Sequence, residues 1–526
     1  MDREVNLDSI RALEKQVQER EKTLIQLKRA RNALLNVSTL LPPEVLGRIF
    51  RWNVIPDGDF GGLPKDSYNF LLVCHHWFQV ASSTPGLWGF WGNSIQDWAR
   101  LHARCRTAPL DLVLERCTNR DFDDTLRNTL QDRAARDTIR RVHLNGADAD
   151  LLNSIISSIT TRGEETRLNS VESFILRNSS GSSVDVSEFF SQYHFPKLRR
   201  LELSSFSIPS WDLLKSRTTS LTTLSLAASG PSPLPTLSQL LSVLSSNPNL
   251  QSLELSHSSV PNADSDRSSP IQLRRLKWLG LTSNFRWAFG LLNRLELPDK
   301  MEGLNLTLSE CSPSDLPQTL GPYLGNHVRR RSPDGLSLLA YPHPDSFSIQ
   351  VRDACEGDSS RKDWFVTVNG TTTVTLGEGE ADKLCFDTIA HIPHEKTVEV
   401  ITTLPLLRSV ELCVQMCNLA HLHLEDVDLS TWFVEPEIRE PHVFEDLLRR
   451  LRCISITEPR LSGDDWSPLT SFLTRRAAVG NRLSSLSLSS YPHMSEDVVD
   501  SIRWAVEAFE NWRGDDGSDD GSDDGY

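Results

Sequence analysis

No uninterrupted apolar run in this 526-residue chain approaches the roughly 18 residues that a membrane-spanning helix needs. The charged opening Met1-Asp2-Arg3-Glu4 is also unlike a signal peptide. An intracellular chain, cytoplasmic or nuclear, is the expectation. A disulfide framework is missing as well, because nine cysteines, an odd number without regular spacing, fit free thiols in a reducing compartment. Positive charge is in deficit: 55 Lys and Arg stand against 70 Asp and Glu, a formal net charge of −15. That balance argues against a generic surface for nucleic acid or anionic membrane. Hydrophobic residues, at 38%, nevertheless suffice for a large buried core, and the length suits several domains or one long repeat array.

Catalytic signatures are equally scarce. No phosphate loop, dinucleotide fingerprint or nucleophile elbow occurs. Cys413, Cys417, His421 and His423 lie close in sequence, but their spacing matches no zinc pattern. His421 and His423 bracket the apolar Leu422, so on a strand they would project from the face opposite it. His75 and His76 read as the polar face of a helix. We therefore expect no metal, no cofactor and no enzymatic activity of the chain itself.

Glycine and proline are absent between Met1 and Leu41. With Ile10 at heptad position a, Ile10, Leu13, Val17, Arg20, Leu24, Leu27, Arg31 and Leu34 occupy the a and d positions. Residues 1–38 are thus predicted to form an amphipathic helix. Arg20 and Arg31 interrupt the seam, and two readings stay open: a homodimeric coiled coil through this helix, or a single helix that is solvated or packed back on the chain.

The next segment holds the strongest local pattern. Pro42 and Pro43 suit the first turn of a helix, where a missing N–H costs nothing, and Glu44 sits near the positive end of its dipole. Val45, Leu46, Ile49 and Phe50 then share one apolar face. Leu71, Leu72, Cys74, Phe78 and Ala81 give a second short helix that carries Trp77, and Pro85-Gly86-Leu87-Trp88 closes the segment. Two such helices cannot bury themselves alone and need cover from a partner or from the rest of the fold. This combination, over residues 39–92, resembles an F-box of the kind found in fungal F-box-domain-containing proteins. That module links a substrate receptor to a cullin-RING ubiquitin ligase. The resemblance implies that a Skp-family adaptor covers Leu41, Pro42, Pro43, Glu44, Leu46, Ile49, Phe50, Val73, Cys74, Trp77, Leu87 and Trp88. The Gly-rich stretch from Asp57 to Pro64 replaces the short helical link of many F-boxes. An ordinary helical hairpin packed on its own domain is the competing reading.

Downstream the chain becomes repetitive. Trp91 and Trp98 read as continuing a helix to Leu101, and Ala108 to Leu114 alternates with the period of a strand. The spacing L-x-x-L-x-L occurs at Leu198, Leu221, Leu250, Leu276, Leu292, Leu419 and Leu483, with looser versions from Ile139, Val171, Met301 and Leu451. Starts at 139, 171, 198, 221, 250, 276 and 301 are 23 to 32 residues apart. The window at Leu292 is out of phase and belongs to a helix from Phe285. This pattern resembles a degenerate leucine-rich repeat, since the usual Asn or Cys after each strand is missing. It implies an α/β solenoid over residues 93–512, with short parallel strands backed by helices. The register is lost near residues 308–404, where alternating segments around Ser346, Trp364 and Thr371 read as aberrant repeats or an inserted hairpin. Ser495 is predicted to cap a final helix bearing Val498, Val499, Ile502, Val506 and Phe509, with Trp512 at its end. Residues 513–526 form an acidic tail of disordered composition.

A solenoid of this kind binds protein partners on its strand face. Glu202, Ser225, Glu254, Gly280, Asn305 and His423, with Ser455 and Ser487, lie between core positions and are predicted to face that surface. The resemblances together imply the substrate-recognition subunit of an SCF-type E3 ubiquitin ligase, which holds an unidentified protein target. The alternative is a repeat scaffold for protein interaction without a ligase role.

Overall fold

The structure, a computed structural model, describes residues 2–35, 41–54, 69–91, 103–105, 108–115, 137–147, 154–155, 166–178, 184–186, 190, 193–207, 211–228, 236–257, 269–299, 301–312, 316–331, 336–343, 346–353, 366–372, 385, 387–402, 416, 418–429, 433, 450–461, 465–490 and 494–512. The Gly-rich stretch at 57–64, the acidic tail, Trp98, Cys413 and Cys417 lie outside them. The chain forms two compact units, Met1–Leu234 and Pro235–Tyr526. Both are mixed α/β structures built around parallel strands.

The first unit opens with the long helix expected from the missing glycine and proline, α1 (Asp2–Leu35). Three short helices follow, α2 (Pro43–Val54), α3 (Phe70–Val73) and α4 (His75–Ser82). The strands β1 (Phe90–Trp91), β2 (Leu110–Glu115), β3 (Ile139–Ala147), β4 (Ser173–Asn178), β5 (Arg200–Ser204) and β6 (Thr223–Ala228) pair in chain order, each parallel to the next. Helix α5 (Trp211–Arg217) lies between the last two. Parallel neighbours need a crossover, so each strand returns only after 20 or so residues. The register stacks like on like: Leu112, Val142, Phe174, Leu201 and Leu224 form one buried row, and Leu114, Leu144, Leu176, Leu203 and Leu226 the next.

The second unit repeats the scheme. Its strands are β7 (Ser252–His257), β8 (Trp278–Asn284), β9 (Gly303–Cys311), β10 (Leu336–His343), β11 (Ser346–Asp353), β12 (Val366–Thr372), β13 (Thr397–Thr402), β14 (His421–Glu425), β15 (Cys453–Thr457), β16 (Leu483–Ser489) and β17 (Val506–Trp512). The helices are α6 (Leu237–Ser246), α7 (Phe285–Leu292), α8 (Gly321–Arg331), α9 (Ser467–Ala478) and α10 (Glu496–Ala505). Thr236 and Gln239 close a capping box on α6, and Asn284 caps α7 through the Trp287 N–H. The out-of-phase window at Leu292 is indeed the end of α7.

Where the leucine register failed, the sheet continues by another route. Strand β11 runs antiparallel between β10 and β12, while β12 lies parallel to β9 and β10 parallel to β13. The buried row passes unbroken from Leu304 through Val366, Val351, Leu338 and Val400 to Leu422. The insertion is therefore part of the sheet, and β10 was not anticipated.

Two further expectations are corrected. Trp91 is strand rather than helix, pairing with Leu112, because Phe90 and Trp91 suit a pleated surface and Gly89 lets the chain approach Pro109. A methyl at Gly89 would lie 2.2 Å from the Pro109 carbonyl oxygen. At the other end Ser495 does cap α10, accepting from the Val498 N–H, but the helix stops at Ala505. Val506 onward pairs with β16 and sets Phe509 beside Leu486 in the core row. The ladder and that row outweigh the helical period, and no local window contains either.

Several repeats also carry a signal that the L-x-x-L-x-L spacing omits. A turn precedes the first apolar position of the pattern, and its opening residue is buried: Leu168, Phe195, Asn247, Leu273 and Met416 occupy this place. Directly after the strands, Ser205, Asp426, Glu458 and Ser490 adopt left-handed φ of 50 to 65°. Such a residue costs about 1 kcal/mol without glycine. It ends the strand while keeping a ladder bond, as when Ser205 N–H donates to the Ala227 carbonyl.

Candidate functional site

The α2–α4 hairpin has a finished interior. The Pro42 carbonyl accepts from Val45 and Leu46 N–H, starting α2 at the expected place. Phe50 is fully buried, stacked on Phe70 at 4.5 Å between ring centroids and 5.0 Å from Trp77. Leu46, Val80, Ala81, Leu87 and Trp88 complete this core. The Trp88 indole N–H donates to the Ala81 carbonyl at 3.0 Å, and Arg104 lies 4.7 Å over its ring. Cys74 breaks α3 from α4 in an extended conformation, and its Sγ accepts from the Trp77 N–H at 3.4 Å as an N-cap.

The twelve hairpin residues singled out from the sequence therefore divide. Leu46, Phe50, Leu87 and Trp88 belong to the interior, where no partner can reach them without unfolding the hairpin, so their expected contact role is corrected to a packing one. Cys74 and Trp77 are half-buried, and Cys74 has a capping task. Leu41, Pro42, Pro43, Glu44, Ile49 and Val73 are at least partly open to solvent. Four exposed neighbours, Val45, Trp52, Leu72 and Phe78, are not among the twelve. Val45, Ile49 and Trp52 form an outer stripe on α2, 42, 43 and 83% exposed, beside the buried stripe of Leu46 and Phe50. Leu72 (84%), Val73 (52%) and Phe78 (41%) are exposed on α3 and α4. Their large apolar type was the available signal; burial of Phe50 rather than Ile49 was not readable from spacing that places both on one face.

The strand faces opposite the leucine rows form the second candidate surface. In the first unit the middle open-face row is Val113, His143, Ile175, Glu202 and Ser225. Glu202 is not available for recognition: it is 5% exposed, and its carboxylate accepts from Arg177 at 2.9 Å and Arg200 Nε at 2.6 Å. The rows of long side chains close over one another here. His143, 6% exposed, meets Ser173 Oγ at 2.8 Å, and burial, with Arg141 and Arg200 adding, pushes its pKa down to about 4. Asp111 accepts from Arg140 at 2.6 and 3.0 Å and from Arg141 at 2.5 Å. Burial works against its charge, yet the two arginines hold its pKa below the usual carboxylate range.

In the second unit Glu254, Gly280, Asn305 and His423, with Ser455 and Ser487, share one register row, as anticipated. Glu254 is exposed and Asn305 half-buried, with its Oδ1 lacking a hydrogen-bond partner. Trp278, missed by sequence reasoning, lies across Gly303 at 39% exposure: a methyl there would be 2.1 Å from its ring. Gly280 leaves a notch flanked by Trp278 Nε1 and Glu254 Cγ. His423 stands 3.2 Å from Glu399 Oε1, and it and His421 project opposite the buried Leu422 and Leu424 as expected. Among the described residues no cluster of three or more His, Cys, Asp or Glu is placed to hold a metal ion. No helix among them is long and apolar enough to cross a membrane. No protein-family model matches the chain, and no curated protein is significantly similar to it.

Proposed function

We propose that this chain is the substrate-recognition subunit of an SCF-type cullin-RING ubiquitin ligase, with the α2–α4 hairpin as its F-box and the sheets as a degenerate leucine-rich-repeat receptor. One observation carries the reading. The hairpin's core is complete, yet Val45, Ile49, Trp52, Leu72, Val73 and Phe78 remain exposed on it. Large apolar side chains gathered on so small a module mark an interface rather than a fold interior. A Skp-family adaptor is the partner that the motif resemblance supplies. The ligase role needs no catalytic group here, because holding a target lysine near the charged conjugating enzyme raises its effective concentration.

Support for the receptor half is the row of Glu254, Gly280, Asn305 and His423, where the half-exposed Trp278, the Gly280 notch and the unpaired Asn305 Oδ1 lie on a regular strand face. Co-expression with a recombinant Skp-family adaptor tests the proposal. The wild-type chain should co-purify with the adaptor, and the Val45→Asp/Ile49→Asp double variant should not while keeping its circular dichroism. A well-folded wild-type chain that captures no adaptor would leave a repeat scaffold without a ligase role.

A further inference from the structure

We propose that α1 pairs with the α1 of a second copy of this chain, and that the two helices run antiparallel. The helix is 34 residues long, about 50 Å at 1.5 Å per residue. Ile10, Leu13, Val17, Leu24, Ile25 and Leu27 are 46 to 64% exposed along it. All but Ile25 stand at heptad a or d positions. Such a seam wants an identical or similar seam to cover it, and the sequence itself selects the orientation.

Parallel pairing would set Arg20 on Arg20 and Arg31 on Arg31 in the same core layers. It would also lay residues 22–35, which carry four Lys or Arg and no acidic residue, against the same stretch of the partner. Antiparallel pairing with Ile10 opposite Leu34 removes both conflicts. The layers become Ile10 with Leu34, Leu13 with Arg31, Val17 with Leu27 and Arg20 with Leu24, each made twice by the dyad. In this register the basic half meets residues 9–22, where three Glu stand among four Lys or Arg, rather than a second stretch without any acidic residue. At the flanking e positions Glu14 faces Lys28 of the other copy, again twice. The like-charged contact, Glu21 with Glu21, sits at the centre beside the two Arg20 heads. Like charges across a helix pair oppose association and opposite charges favour it, which is how flanking positions choose partner and direction.

Charge reversal in the full-length chain distinguishes this arrangement from its rivals. Sedimentation at about 100 µM, a concentration suited to so short a coil, should give a species of twice the 59.2 kDa chain mass. Glu14→Lys alone, and Lys28→Glu alone, should each weaken that dimer about tenfold, a factor of about three for each of its two altered pairs. Mixing the two variants should restore the affinity, because each then supplies the charge that the other lacks. In a parallel coil Glu14 faces Ser9 and Lys28 faces Thr23, so neither reversal nor mixing would matter. A monomeric wild type at this concentration overturns the proposal, as does a dimer indifferent to both charge reversals. Leu24→Asp serves as a check on the seam itself: a dimer that survives it is formed elsewhere, and the proposal fails.

Discussion

Replacing Phe50 by alanine separates the two stripes of α2. Its ring is wholly buried, stacked on Phe70 and tilted against Trp77, so the truncation removes contacts on two sides and leaves a cavity that a hairpin of short helices cannot easily close. Changes of this type cost 3–5 kcal/mol, and we take about 4 kcal/mol here. Ile49, one residue earlier, is 43% exposed. Ile49→Ala should cost about 0.5 kcal/mol or less, as for surface positions generally. Hydrogen exchange read on peptides covering residues 43–54 and 69–88 measures both effects locally. Phe50→Ala should accelerate exchange there by about three orders of magnitude, since 1.4 kcal/mol is a factor of ten. Protection in β3 to β6 should fall less, because their core rows do not include Phe50. Unchanged hairpin protection in Phe50→Ala, or an equal loss in Ile49→Ala, would refute the division into an inner and an outer stripe.

Three further outcomes are expected. His143 is held neutral with a pKa of about 4 against an ordinary 6.5, so its contribution is fully present above pH 6.5 and lost as pH falls toward 4. A pH series of urea melts should lose about 3 kcal/mol of first-unit stability across that window, and His143→Gln should flatten the loss. Asp111→Asn should destabilise by about 2 kcal/mol, roughly half the cost of breaking a buried pair because Arg140 and Arg141 are 29 and 25% exposed. An unchanged melting temperature in that variant would show the arginine cluster to be idle. Gly303→Ala drives a methyl into the Trp278 ring and should displace the indole from the sheet at about 1–3 kcal/mol, visible as altered near-ultraviolet dichroism.

Much of the architecture was legible because the parallel strands repeat a spacing. Leu201 with Leu203 and Leu422 with Leu424 mark the buried faces of β5 and β14 from sequence alone, and their intervening residues fall on the open face as alternation requires. What failed depended on neighbours distant in sequence. Val506 to Trp512 keeps a helical pattern of apolar residues but lies beside β16, and β10 joins the sheet through a partner some sixty residues away in β13. The site was legible by type more than by role. Phe50 and Ile49 look equivalent in a one-dimensional pattern, yet Phe70 and Trp77 claim one and leave the other outside. Glu202 carried the expected position but not the expected freedom, since Arg177 and Arg200 come from the neighbouring strand and from its own. Trp278 was passed over because a residue ahead of the first strand leucine gives no periodic signal.

The central claim is that the outer stripe of the hairpin is an adaptor surface, and calorimetric titration of a recombinant Skp-family adaptor into the full-length chain tests it most directly. The wild type should bind with one adaptor per chain. Ile49→Ala and Leu72→Ala should each weaken binding about thirtyfold, the equivalent of about 2 kcal/mol for a desolvated anchor, with melting temperatures unchanged. Absence of wild-type binding, or wild-type affinity in both variants, would contradict it.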